Sequence, residues 1–122
     1  MSGRLADLTG PGVVEALSAE SVVLLPVGAI EQHGPHLPLS VDAVIAEETA
    51  SAVLEAVGSE VDLWLLPTLS VSKSNEHAWS PGTLWLSAET MLRVLDDLAA
   101  CVATTPARRL VLLNGHGGNT SL

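Results

Sequence analysis

Residues 21–42 read SVVLLPVGAIEQHGPHLPLSVD: an aliphatic run of strand length, 21–27, opens directly into a loop holding one glutamate, two histidines and, at its end, an aspartate. A strand that is apolar on both faces must be covered on both, which is the mark of a parallel sheet flanked by helices. The stretch therefore raises the fold and the function together.

The same grammar repeats outward in both directions. TGPGVVEALSAE places Thr9 and Pro11 in capping positions for a short helix over about 11–18. After the loop, DAVIAEETASAVLEAV over 42–57 sets Val44, Ile45, Ala52 and Val53 at helical spacing, with the acids mostly opposite. VDLWLLPT is a second buried strand closed by its proline, and residues 68–86 form a loop too long for a plain connector. SAETMLRVLDDLAACVAT has Ser87 as N-cap, Glu89 in the first turn, and Met91, Leu92, Leu95, Leu98, Ala99 and Val102 on one face. RRLVLLNGHGGNTSL is a third buried strand ending in a glycine-rich turn. Helices alternating with such strands predict an α/β layered fold with a mostly parallel sheet, whose sites gather at the carboxyl ends of the strands.

Composition narrows the class. The 122 residues, 48% of them hydrophobic, support one domain over 1–122 and no more. A formal charge of −9 has the wrong sign for a phosphate-binding surface, so nucleic acid is not expected as a partner. No apolar run approaches the ~20 residues of a membrane helix, and the amino terminus lacks a signal peptide's apolar stretch, so no membrane and a cytoplasmic location are expected. The lone Cys101, among alanines and leucines, reads as a small buried hydrophobe. The grouping of Trp64, Trp79 and Trp85 points to a pocket or a subunit contact.

Glu31 and His33 are two apart where the first strand runs out, so in extended chain both point to one side. Gly34-Pro35 forbids helix and turns the chain back, letting Asp42 approach the same point, and the turn after the third strand brings His116 to the same sheet edge. Two carboxylates and two imidazoles without a thiolate suit Zn²⁺, Mn²⁺, Fe²⁺ or Co²⁺. A carboxylate such as Asp42 can bridge two ions ~3.5–4 Å apart, and water held between them loses a proton near neutral pH. The plainer reading is that the acids cap turns while the histidines bond to backbone. His77, in SKSNEHAWSPGT, is open between metal ligand, orienting partner, substrate contact and solvent-facing loop residue. The strand–glycine turn LVLLNGHGGNTS also admits a phosphate cradle, and with it a nucleotide-binding domain, although no Lys follows its last glycine.

Taken together, PVGAIEQHGPHLPLSVD, SNEHAWSPGT and LVLLNGHGGNTS resemble the creatininase (creatinine amidohydrolase) family in order and interval, from about Leu5 to Leu122. The resemblance implies a three-layer α/β/α sandwich, a centre of two divalent ions of zinc or manganese type, hydrolysis of a non-peptide or unusual amide C–N bond in a small molecule, and a homo-oligomer, often a hexamer. Carried over by position, Glu31, His33, Asp42 and His116 fall on metal ligands, with Asp42 bridging. Asp42 and His77 become the candidate catalytic residues, Ser74 and Gly117 the candidate substrate contacts. Where creatininase itself has a further glutamate ligand, this chain has Gly118, which weakens creatinine as the substrate and leaves deformylase-like and mycofactocin-maturation peptidase-like branches open. Family members run to roughly twice this length, so the resemblance implies the amino-terminal part of such a domain. The competing expectation is a non-catalytic, truncated module that folds by oligomerising.

Overall fold

The structure, a computed structural model, describes residues 1–122. Four parallel strands, β1 (Gly3–Arg4), β2 (Val22–Val27), β3 (Leu63–Leu65) and β4 (Arg109–Asn114), form one sheet in the order β1-β3-β2-β4. Three helices, α1 (Gly10–Ala16), α2 (Val41–Val57) and α3 (Ala88–Ala103), complete the α/β fold.

Alternation along β2 separates the layers. Val23 packs with Trp64, Leu17 and Val102 on the face that carries α1 and α3, and Leu25 and Val27 meet Met91 of α3 on the same side. Leu24 turns to the other face, where it joins Leu63, Leu65 and Ala50 of α2. The result is the anticipated three-layer sandwich. Each fully buried aliphatic side chain of β2 contributes ~1.5–3 kcal/mol. The helix ends follow their sequence signals: Thr9 accepts the N–H of Gly12, and Ser87 accepts that of Thr90.

Several expectations are corrected. Strand β1 carried no periodic signal, being two residues long, and β3 is three residues rather than the whole of VDLWLLPT. On α2 the buried residues are Asp42, Ala43, Ala46 and Ala50, while Val44 and Ile45 stand half exposed. The reason is closeness: the amino end of α2 lies so near the chain after β2 that a Cβ on Gly28 would overlap Ala43 and come within 2.9 Å of the Asp42 carbonyl. At this end of the helix small residues face the sheet, and Val44 and Ile45 are turned outward. On α3, Leu92 and Ala99 are likewise exposed. Strand β4 is not buried as its composition implied, since it is the sheet's edge, bonded to β2 alone, and Val111 and Leu112 are half exposed. Cys101 is exposed rather than buried. Of the three tryptophans, Trp64 is core, whereas Trp79 and Trp85 are exposed. No helix is long and apolar enough to cross a membrane.

The Gly28 contact sets a test of the packing that places Asp42. Gly28→Ala should cost roughly 1–3 kcal/mol in urea unfolding through overpacking. Gly10→Ala, whose new methyl meets nothing within 4 Å, should cost little or nothing. Equal midpoints for the two variants would contradict the close approach.

Candidate metal centre

The loop after β2, the long loop after β3 and the turn after β4 meet at the carboxyl edge of the sheet. Backbone bonds lock them together: Gly28 N–H donates to Leu69 O (2.9 Å), Leu84 N–H to Ile30 O (2.9 Å) and Gly115 N–H to Val27 O (2.7 Å). The two asparagines of the glycine turn finish the job. Asn114 holds the backbone of His116 from both sides, donating to its carbonyl (2.8 Å) and accepting its N–H (3.2 Å). Asn119 accepts the N–H of Lys73 (3.2 Å) and donates to the Ser72 hydroxyl (3.1 Å), tying the turn to the long loop.

Within this frame Glu31, His33, Asp42 and His116 converge as the sequence pattern predicted. Glu31, Asp42 and His116 are buried, and Asp42 sits in the first turn of α2, where the helix dipole favours a carboxylate. Nδ1 of His116 lies 2.8 Å from Asp42 Oδ2 and 3.1 Å from Glu31 Oε1. Nε2 of His33 lies 3.1 Å from Asp42 Oδ1. One carboxylate thus meets two imidazoles, one at each oxygen.

The far nitrogens decide what this means. His116 Nε2 faces the Lys73 carbonyl at 2.9 Å, and His33 Nδ1 faces the Glu31 carbonyl at 3.2 Å. A carbonyl and a carboxylate both only accept, so a neutral ring, with one proton, turns a lone pair to one of the two; with the proton on the carbonyl side, that lone pair points at Asp42. A divalent cation between that lone pair and the carboxylate would satisfy both. A backbone carbonyl that fixes the tautomer of a histidine in this way is the usual support of a metal ligand. Glu31 Oε2, buried and without a hydrogen-bond partner, adds a second unmet demand for positive charge. The donor set therefore fits divalent cations. Burial raises the Glu31 carboxyl above its ordinary value, against the pull of His116 and with the neighbouring Asp42 adding to the rise.

The other predicted residues fall as follows. His77 enters the site, its Nε2 3.6 Å from Glu31 Oε2 and its Nδ1 3.2 Å from Gln32 Nε2. Ser74 is fully buried with its hydroxyl 3.1 Å from His116 Nε2, so it faces a candidate ligand rather than open space. Gly117 is exposed, a Cβ there would meet nothing within 4 Å, and it opens the short turn Gly117–Asn119. Two residues went unread in the sequence, Gln32 and Glu76, though each adjoins a histidine that was read. Glu76 Oε1 lies 3.3 Å from His116 Nε2 and its other oxygen 3.0 Å from Lys73 Nζ. Burial alone would raise the Glu76 carboxyl, but its own N–H, Lys73 and His116 together hold it below its ordinary value. A Cβ at Gly118 would overlap both the Glu76 carboxylate and the His116 ring. The bare backbone at 118 is what admits Glu76 to the site.

A parallel α/β protein with a carboxylate–imidazole centre at its strand ends is the class that fold and geometry define. The chain belongs to the creatininase family, whose model, described as creatinine amidohydrolase, matches residues 6–122. It is 39% identical over 100 residues, 80% of this chain, to the mycofactocin precursor peptide peptidase of Mycolicibacterium smegmatis. It is 36% identical over 108 residues, 84% of this chain, to the creatinine amidohydrolase of Pseudomonas putida. Each match covers 40% of the relative, so the chain spans about two-fifths of the length of these curated relatives. A solved creatininase mutant of zinc–zinc type superposes with a TM-score of 0.85 at 31% identity, over 99% of this chain and 48% of that one. A manganese creatininase gives 0.83 at 31% identity over the same shares.

The raised Glu31 carboxyl carries a sign. A carboxyl that binds its proton more tightly in the fold stabilises the metal-free protein below the unfolded value, 4.5, and that contribution is lost as pH rises through the folded value. Stripped of metal, Glu31→Gln should therefore melt a few degrees above the parent at neutral pH, with the gap closing below pH 4.5. A variant that melts lower at neutral pH would contradict this.

Proposed function

We propose that the chain carries the ion-binding part of a metal-dependent amidohydrolase, which cleaves a C–N amide bond of a cyclic amide, formamide or small peptide-like substrate with metal-activated water. One observation carries the reading: both imidazoles that face Asp42 have their far nitrogens within hydrogen-bond distance of backbone carbonyls, so a ring protonated there turns its lone pair to Asp42. Glu31, Asp42 and His116 would hold one divalent ion, His33 and Asp42 a second, with Asp42 shared, and zinc or manganese suits the nitrogen–oxygen donor set. Such ions polarise an amide carbonyl and acidify bound water.

The chain's own groups do the rest. Asp42 and Glu31 concentrate negative charge that draws cations into a half-buried edge, and the Lys73 and Glu31 carbonyls keep the two rings turned toward it. His77 brings an imidazole to the rim beside Glu31, and Gly117 leaves an open approach for a substrate. A peptidase among the relatives makes the expected restriction to non-peptide bonds too narrow, so short peptides belong with creatinine-like and formyl substrates in any assay. A homo-oligomer in the cytoplasm, hexameric by family likeness, is the assembly that goes with this reading.

Elemental analysis of protein purified without chelator should find two equivalents of zinc or manganese per chain. Asp42→Ala should lose both and His33→Ala mainly one. Fewer than one equivalent in the parent protein would contradict the reading, and a fully loaded protein inert toward all three substrate types would favour a non-catalytic module.

A further inference from the structure

Three histidines face the centre, and Glu31, Glu76 and His77 form a second group whose ligand atoms lie within 4.8 Å of one another. Spacing alone makes that group as good a metal site as the first. The proton on His77 separates them.

Gln32 is held in one orientation by Gly34, whose N–H donates to Gln32 Oε1 at 3.0 Å. Its NH₂ is thereby the atom that meets His77 Nδ1 at 3.2 Å, and an amide NH₂ only donates. His77 Nδ1 must accept, so in the neutral ring the proton sits on Nε2, facing Glu31 Oε2 across 3.6 Å. This is the reverse of the form proposed for His33 and His116, whose far nitrogens meet backbone carbonyls and whose nitrogens turned to the carboxylates would be the bare ones. We infer that Gln32 is a positioning residue that sets His77 in the Nε2–H form, making it a hydrogen-bond donor at the rim of the centre and excluding it from the ligand set. The buried, unpartnered Glu31 Oε2 is the acceptor that this donor faces. Gly34, Gln32, His77 and Glu31 then form one polarised chain from the turn backbone into the site.

The inference depends on the proposed metal chemistry for its use, but its test does not. Long-range proton–nitrogen correlation spectra of the full chain labelled at histidine, at pH ~8 where an ordinary imidazole is neutral, report which ring nitrogen carries hydrogen. His77 should show a bare Nδ1 and a protonated Nε2. Gln32→Glu keeps the shape and the acceptor for Gly34 but puts an acceptor oxygen against the ring, so Nδ1 should become protonated. A merely packing role for Gln32 would leave the ring unchanged. Zinc added to the parent protein should perturb the bare nitrogens of His33 and His116 and leave the Nε2 proton of His77 in place. The inference is overturned if Nδ1 carries hydrogen in the parent, if Gln32→Glu leaves Nδ1 bare, or if zinc displaces the Nε2 proton. Zinc that perturbs no histidine sinks the proposed function alone, since the tautomer is read without it.

Discussion

The two oxygens of Asp42 each face an imidazole nitrogen while the far nitrogen of each ring faces a backbone carbonyl, so the one proton of a neutral ring cannot serve both sides. That arrangement leaves largely buried acceptors short of positive charge, and unpaired buried charge costs several kcal/mol. Everything around it prevents the charges from moving apart. Asp42 is fixed in the first turn of α2, His33 by the carbonyl of Glu31, and His116 by Lys73 and by the reciprocal clamp of Asn114. A fold that holds such groups together gives up some stability to do so.

The sheet makes the confinement possible. β2 and β4 run side by side over six paired residues, so the loops that follow them emerge together and carry Glu31 and His116 to the same edge. β3 then sends its long loop across the top, pinned to the other two by Leu69, Leu84 and Asn119. At Gly28 and Gly118 the missing side chains allow α2 and Glu76 to come closer than any other residue would permit. The centre is thus built from three loops, yet each is held by backbone bonds that need no bound ligand.

Much of this was legible from residue pattern. Aliphatic runs covered on both faces predicted a parallel sheet, and the i, i+2 relation of Glu31 and His33 at a strand end predicted their convergence. The failures have a common physical origin. Helical periodicity reports which residues share a face but not which face a close neighbour will tolerate, so α2 buries its alanines and exposes Val44 and Ile45. Composition does not report how many neighbours a strand has, and β4 pairs with β2 alone among these residues, leaving Val111 and Leu112 half exposed. Hydrogen-bond direction is invisible in sequence: neither the donor role of His77 nor the part of Gln32 follows from spacing, because both depend on which way one amide is turned by Gly34. Glu76 went unread for a similar reason, since its place is set by room left at Gly118, forty-odd residues away.

The central proposal is that Asp42, with Glu31 and His116 on one side and His33 on the other, would hold two divalent cations. Anomalous diffraction from crystals grown with zinc tests it most directly. The account predicts two peaks roughly 3.5–4 Å apart flanking the Asp42 carboxylate, one bounded by Glu31 and His116 and the other by His33. Crystals in which the four side chains keep their places with no anomalous density between them would contradict it.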